Sequence, residues 1–447
     1  MSLPAAEDDA PEALPTPPPP VAAGVARFVR GSLGSGVSVL ARAGGALALN
    51  KLLAVFGGPG GLTLLAHFQN LMALLTTLPN DGVHVGIVKY LAPRRPGSAG
   101  WRLWFGAGAA LNAAVLLLGF LALPVLRGPL LAAFQPTPGW VLGIVVGITL
   151  LTAHAYLAAV LLAAQRLRAY VALTVLLSVL GPLAVAAALA LGWPLPRVLL
   201  AYLLAQGLTV LPSAWVCARA GLLAPVRLRP SRPVLLGLGR FLLMALSVLV
   251  CSKAVDFAVR DLLIGRFSLG QTGLWQAVAK LSDNYTMVFS AVMGAVFYPR
   301  LAALAGQPAA RHAYVRGVFG LLAGLLAAGL AALWLLRDWL LPLLFDARFA
   351  AARELLAPQL LGDWAKFLSW TLLYLLVADA RAGRYVLVQA ASAALYAALL
   401  ALLLPRYGLF GAPLAHALRF ALVLLVCLFY FRPLRTERDA LPRRPLP

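Results

Sequence analysis

Lysine is nearly missing from this sequence, which has five lysines among its 37 cationic residues; the other 32 are arginine. Charge of either sign is scarce too, at 12% of 447 residues, while 62% are hydrophobic and the mean hydropathy is +0.88. A water-soluble chain of this length could not cover so much apolar surface, so a soluble globular fold is excluded. The cysteines number three, Cys217, Cys251 and Cys427, all inside apolar runs. That odd, scattered set excludes a disulfide framework, and no metal or other cofactor is expected. A Walker-type phosphate loop is absent, which excludes ATP as the direct driver of any transport.

What fills the chain is apolar runs of spanning length, since a bilayer crossing takes about 20 residues. Breaks rich in Gly, Pro and Arg delimit twelve spans near 31–56, 62–90, 101–126, 139–164, 170–192, 197–218, 238–264, 272–303, 313–336, 352–378, 382–404 and 408–431. With a cytoplasmic N-terminus, 22 of the cations fall in cytoplasmic loops and tails and seven in the opposite loops. Such a bias orients the chain with both termini in the cytoplasm. The net charge of +22 is therefore a topology signal, and nucleic acid is not an expected partner.

The fold class is thus all-α integral membrane, about twelve helices in two six-helix halves around a central cavity. Residues 1–30 read as a disordered acidic, Pro-rich tail, 31–225 as the N-terminal half, 226–432 as the C-terminal half and 433–447 as a basic tail. The segment 50–62, NKLLAVFGGPGGL, leaves the first span much as 260–274, RDLLIGRFSLGQTGL, leaves the seventh, as in a parallel repeat. Trp101, Trp104, Trp140, Trp193, Trp215, Trp334 and Trp339 stand near span ends, where the ring favours the interface.

Eight cations remain inside or at the rims of spans: Arg42, Lys51, Lys89, Lys253, Arg260, Lys280, Lys366 and Arg419, with Asp81, Asp256, Asp261, Asp283 and Asp363. All five lysines belong to this set. An ionisable group at membrane depth costs about 2.5–3.5 kcal/mol on insertion scales, so it faces a wet cavity or a partner. Lys89, at a span end, reads as snorkelling. Lys253, Asp256 and Arg260 share a helix face, and Lys280–Asp283 and Asp363–Lys366 are i, i+3 pairs that could neutralise each other, with Gln276 one turn from Lys280. The excess of eight cations over five acids still calls for an external anion. His67, Asn70, Thr77, Asp81 and His84 fall on one face of an ideal helix and read as a hydrated wall. Asp81 has no same-helix cation at i±3 or i±4, which makes it the candidate coupling carboxylate unless a cation such as Arg42 or Lys51 meets it from another helix. The residues thus point to a cationic, hydrated centre suited to an anionic, polar substrate.

At these residues the sequence resembles the Wzx-type lipid-linked oligosaccharide flippases (lipid III and O-antigen translocase-like) of the MATE/MOP exporter superfamily. The matching stretches are 50–62, NDGVHVGIVKYLAP (80–93), GLWQAVAKLSD (273–283), YPRLAAL (298–304), WLLRD (334–338) and QLLGDWAKF (359–367). The resemblance implies an undecaprenyl-pyrophosphate-linked oligosaccharide as substrate, flipped to the periplasmic leaflet of the bacterial inner membrane by alternating access. It also implies a polysaccharide polymerase and chain-length machinery as partners, besides the lipid bilayer. Arg42, Lys51, Arg260, Asp283, Asp363 and Lys366 fall where the resembling sequences carry charge, whereas Asp81, Lys253, Asp256 and Arg419 depart from the pattern. Two other readings compete. A multidrug exporter of the same superfamily needs an acidic cavity. A polyprenyl-dependent glycosyltransferase needs free extracytoplasmic carboxylates, yet Asp338, Asp346 and Glu354 stand beside Arg337, Arg348 and Arg353.

Overall fold

The computed structural model describes residues 21–225, 232–293, 297–298, 301, 304, 307–379 and 381–431; the expected tails at 1–20 and 433–447 lie outside the described residues. Helix begins at Val21, so residues 21–30 extend the first span rather than belong to a tail. Among the described residues, nine runs are long and apolar enough to cross a bilayer. Two of these, Leu40–Leu91 and Gly383–Tyr430, are hairpins. The first breaks at Gly58, whose left-handed φ of 61° precedes Pro59. Glycine adopts that conformation without a Cβ clash, and proline cannot continue a helix from it. The second breaks at Gly408, φ 57°. A further helix, Leu269–Val292, has the length but carries Gln271, Gln276, Lys280 and Asp283, which lower its hydropathy.

The described residues therefore hold twelve spans: α1 (21–57), α2 (59–91), α3 (Ala99–Leu131), α4 (Pro138–Ala163), α5 (Leu167–Ala190), α6 (Leu195–Arg219), α7 (232–267), α8 (Leu269–Val292), α9 (Pro308–Leu335), α10 (Arg353–Ala378), α11 (Ala382–Tyr407) and α12 (Gly411–Tyr430). A short helix, Arg337–Leu344, and a 3-10 turn, Ala347–Ala352, join α9 to α10. The side on which α1 begins is called near, the other far. Both α2 and α7 contain a π-helical stretch, Leu78–His84 and Leu249–Ala254.

The buried apolar residues form three clusters whose membership gives the shape. One joins far-side parts of both halves, from Leu53, Leu65 and Phe68 of α2's hairpin to Val259, Ala277, Leu356 and Leu404. The second lies on the near side of the first half, around Ile87, Trp101, Val160 and Cys217, and takes only Val234 and Leu238 from α7. The third lies on the near side of the second half, around Phe289, Phe367, Leu376 and Phe420. The halves share one core on the far side; on the near side two further cores stand apart, and there the halves touch where the start of α7 packs on α2.

Small residues permit the closest approaches, which in lipid supply much of the association energy. Gly82 and Gly86 of α2 receive Leu242 and Leu238 of α7, and a Cβ on Gly45 of α1 would fall on the Ser178 carbonyl of α5. Three tryptophans expected at the interface are buried: Trp101 donates to the Leu222 carbonyl at 3.0 Å, Trp140 to the Pro196 carbonyl at 2.8 Å, and Trp104 stacks on Tyr90. Trp193, Trp215, Trp334 and Trp339 are exposed, as interfacial anchors require.

Gly44 and Gly45 make a matched test, because nothing stands within 4 Å of a Cβ placed on Gly44. Gly45→Leu should lower the thermal midpoint of the detergent-purified protein by an amount equivalent to about 1–3 kcal/mol of overpacking, while Gly44→Leu leaves it unchanged or raises it. Equal losses in the two variants would show that α1–α5 contact is not what the midpoint reports.

Candidate functional site

Charges gather where α7 and α8 face α2 in the middle of the bundle. The buried Arg260 guanidinium donates from Nε to Gln276 Oε1 at 2.8 Å and from one terminal nitrogen to the Ala66 carbonyl of α2 at 3.3 Å. Lys280, one turn beyond Gln276, donates to Gln69 Oε1 of α2. Both cations are thus held by neutral oxygens, and among the described residues neither makes a contact ion pair. Asp256 lies in the field of Lys253, Arg260, Asp283 and Arg419, and Lys280 in that of Asp283, Arg260 and Lys253. The α12 residue Arg419 joins them from the side, donating to Ser392 Oγ at 2.7 Å with its guanidinium 5.0 Å from the Tyr396 ring centre. Asp256 and Asp283 are exposed and Lys253 and Lys280 half-buried, and protein surrounds Asp256 and Lys280. A group that is exposed yet surrounded by protein lines an internal wet space.

The expected polar stripe on α2 does not stay on one face. Its spacing assumes an α-helix throughout, but Leu78–His84 is π-helical and shifts everything beyond it. Asp81 is exposed and lies in the field of Lys253. That lysine sits in the other π-helical stretch, and among the described residues no ion pair joins it to Asp81. The cation whose field reaches Asp81 from another helix is Lys253, while Arg42 and Lys51 are engaged elsewhere. His84 turns into the first half, where its Nε2 meets Asn112 Oδ1 at 3.2 Å. His67 is 1% exposed and packs between Phe134 and Phe257, at 5.4 and 4.5 Å between ring centres, so neither histidine lines the wet space. Asn70 is half-buried on the same helix, with its side-chain nitrogen lacking a partner among the described residues.

The Gly362-Asp363 to Lys366 stretch builds a separate knot within the second half. The fully buried Asp363 carboxylate takes Lys366 Nζ at 3.1 Å and His416 Nε2 at 3.0 Å on one oxygen. Its other oxygen accepts from Ser282 at 2.7 Å, Gln359 at 3.3 Å and the Tyr285 hydroxyl. Lys366 also donates to Thr286 at 2.9 Å and lies over Phe367 and Trp370. This i, i+3 pair is the neutralising kind, tying α8, α10 and α12 together. Asp363→Asn leaves Lys366 buried without its counter-charge and should cost about 3–5 kcal/mol, read as a lower thermal midpoint. The double variant Asp363→Asn/Lys366→Met should recover part of that loss; a double variant no more stable than the single one would mean the pair is not energetically coupled.

Lys51 and Arg42 stand apart from the centre. Lys51 Nζ donates to the carbonyls of Pro342 and Leu343, at 3.2 and 2.9 Å, at the end of the short far-side helix. Reciprocally, Arg348 from the following turn donates to the carbonyls of Ala54 and Val55, at 3.0 and 2.6 Å, at the end of α1. Each helix terminus is capped by a cation from the other, which satisfies orphan carbonyls and opposes the negative end of both dipoles. Asp346 fixes Arg348 through contacts from its backbone N–H at 3.0 Å and Nε at 3.1 Å. Those two donors hold the Asp346 carboxyl below the usual carboxylate range, so the contact persists at neutral pH and weakens only as pH falls through that lowered value. Arg42 is exposed and donates to the Tyr170 hydroxyl of α5 at 3.0 Å. Replacing Lys51 and Arg348 together by Ala should loosen the far-side seal. In a cysteine-free background carrying Asp256→Cys in the wet centre, labelling from the far side by a membrane-impermeant maleimide should rise at least about fivefold, which corresponds to roughly 1 kcal/mol. Unchanged labelling would show that the capping contacts do not hold the seal.

The centre accordingly receives Arg260, Lys280, Lys253, Asp81, Asp256, Asp283 and Gln276, while Lys366 and Asp363 form the knot and Lys51 the seal. Gln69, His416 and Tyr396 complete these sites without being singled out by the sequence, and Arg348, expected only to pair with Asp346, also caps α1. A polar pair at i, i+3 in an otherwise apolar span, His416 and Arg419, is the signal that could have exposed the knot.

No family model matches the chain. It is 30% identical over 414 residues to the lipid III flippase of Escherichia coli (strain K12), covering 90% of this chain and 97% of that protein. The lipid III flippase of Shigella flexneri gives the same identity and coverage. Among solved structures, an inward-facing multidrug resistance MATE family transporter of the MOP superfamily superposes with a TM-score of 0.68 at 13% identity, covering 90% of this chain and 96% of that one. Lipid II flippase MurJ, in an inward closed conformation, also gives 0.68, at 11% identity and with 90% and 87% covered. These two establish the shared fold.

Proposed function

Because the chain belongs to the lipid III flippase family, we propose that it carries an undecaprenyl-pyrophosphate-linked oligosaccharide across the bacterial inner membrane by alternating access, from the cytoplasmic to the periplasmic leaflet. The observation that carries this reading is the state of Arg260 and Lys280, two cations held in the wet centre by Gln276, Gln69 and a carbonyl rather than by carboxylates. Neutral acceptors fix their position and leave their charge for an anion, and hydrogen bonds between a cation and a phosphate are the strong kind. Lys253 and Arg419 extend the basic surface, and Asp81, Asp256 and Asp283 offer acceptors to sugar hydroxyls. The polyprenyl chain stays in lipid, between the halves 31–225 and 226–432. In this reading the near side is cytoplasmic, in keeping with the 22-to-7 distribution of loop cations. The near side, where the two cores stand apart, then admits substrate while the Lys51 and Arg348 caps hold the periplasmic side shut. Lys366 shapes the wall rather than touching phosphate, and Arg42 stands on α1 towards the cytoplasmic mouth. A polymerase with its chain-length machinery is the partner that would take the product.

An exporter of cationic drugs needs an excess of acid, and here Lys253, Arg260, Lys280 and Arg419 outnumber Asp81, Asp256 and Asp283. The glycosyltransferase reading is left with Glu354 alone of its three carboxylates, since Asp338 pairs with Arg353 at 3.6 Å and Asp346 with Arg348 at 3.1 Å.

The test is flipping of a fluorescent polyprenyl-pyrophosphate glycan in proteoliposomes. Arg260→Gln and Lys280→Gln should each reduce the rate about tenfold or more, the scale of one charge-assisted hydrogen bond, while Lys89→Gln keeps it. Full-rate flipping in both variants would remove the phosphate role from this pair. The same preparation should show no transport of a cationic dye.

A further inference from the structure

The near-side end of α12 leaves a cavity that no transport step uses. About 460 Å³ in volume, it is lined by His312, Val315, Arg316 and Phe319 of α9, by Leu372 and Leu375 of α10, and by Leu425, Leu428, Phe429 and Phe431 at the end of α12. The four α9 residues lie at i, i+3, i+4 and i+7, one face of one helix. Along that face the chemistry changes from His312 and Arg316 at the near end to Phe319, over about 10 Å of helix rise. The other walls are wholly apolar. Leu425 and Phe429 are 61% and 73% exposed, so the cavity opens sideways to the bilayer rather than to the wet centre.

The neighbouring charges show which cation is free to bind. Arg311 is committed to Asp379, 2.7 Å away, and closes the near end between α9 and α10. Among the described residues no acid pairs with Arg316, which is exposed, and His312 is half-buried beside it. A guanidinium without an acid partner among the described residues, at the headgroup level above an apolar slot, makes a two-part recognition surface. A cation and the positive start of α9 at Pro308 meet an anionic head, and the slot takes a hydrocarbon chain.

We propose that this cavity is a binding site for an anionic glycerophospholipid of the near leaflet, its phosphate on Arg316 and His312 and one acyl chain against Phe319, Leu372 and Leu428. Its position between α9, α10 and α12 makes the lipid a wedge on the outer face of the second half. Phe367, from the Lys366 knot, and Val315, from the cavity wall, belong to the same apolar cluster, so an occupied slot stiffens the body that carries the knot.

Native mass spectrometry of the full chain, delipidated in detergent and titrated with phosphatidylglycerol or phosphatidylcholine of identical chains, tests this. Phosphatidylglycerol should bind more tightly, and its advantage should fall about fivefold in Arg316→Gln and further in Arg316→Gln/His312→Gln. Leu428→Trp, which fills the slot from a side chain already 43% exposed, should weaken both lipids without touching charge, and it carries the test if the charge variants fail to fold. Three results would each overturn the proposal: equal affinity for the two lipids, an unchanged phosphatidylglycerol advantage in Arg316→Gln/His312→Gln, or undecaprenyl phosphate displacing phosphatidylglycerol at equal concentration. The last outcome would assign the slot to the transported substrate. Because the site lies away from Arg260 and Lys280, its failure leaves the transport reading intact.

Discussion

A charge carried into an apolar bundle must meet an opposite charge, a set of neutral oxygens or water, and this chain uses all three solutions in different places. The Asp363 knot is the first: five donors surround one carboxylate and leave nothing for a ligand. Arg260 and Lys280 are the second, each satisfied by a glutamine from a neighbouring helix. Asp256 and Asp283 are the third, open to the internal water. The division tells structure from function. A knot fixes helices α8, α10 and α12 relative to one another, and cations on neutral acceptors can exchange those acceptors for phosphate at little cost. Water-exposed acids keep the centre near neutrality, so an anion is attracted without being trapped.

The two ends of the molecule obey the same constraint through backbone rather than side chains. A helix terminus leaves carbonyls without partners, and α1 and the short helix Arg337–Leu344 end beside each other on the far side. Lys51 and Arg348 cross between them. Opening that side separates cations from carbonyls that only water can then satisfy, so the seal has an intrinsic preference for closure. Gly58 lies just beyond the capped carbonyls, with its left-handed backbone against the Arg348 guanidinium. A larger residue there would meet both the strained φ and the arginine, and the turn that separates α1 from α2 is part of the seal.

Much of this was legible in the sequence, for identifiable reasons. Most span positions follow from apolar length, the polar span Leu269–Val292 being the exception, and Gly58 and Gly408 mark hairpin turns because glycine accepts positive φ. The i, i+3 pair of Asp363 and Lys366 was visible because it is local. The polar stripe on α2 was misplaced because its register was counted at 3.6 residues per turn through a π-helical stretch, and nothing in LPNDGVH states that hydrogen-bond pattern. Gln69, His416 and the second role of Arg348, beyond its local pairing with Asp346, escape a sequence reading because their partners lie far along the chain. A glutamine beside an asparagine, or a histidine in an apolar span, acquires meaning only when the fold brings a charge to it.

The π-helical stretches explain the central departures from the related sequences. Asp81 and Lys253 stand where the resemblance implies neutral residues, one in each π segment, and the field of Lys253 reaches Asp81 from the other half. A π turn adds a residue to the helix, which rotates the following side chains and leaves backbone groups less tightly constrained. Under the proposed transport, neutralising Asp81 would free the field of Lys253 for the substrate phosphate, whereas neutralising Lys253 would leave a carboxylate facing an anion.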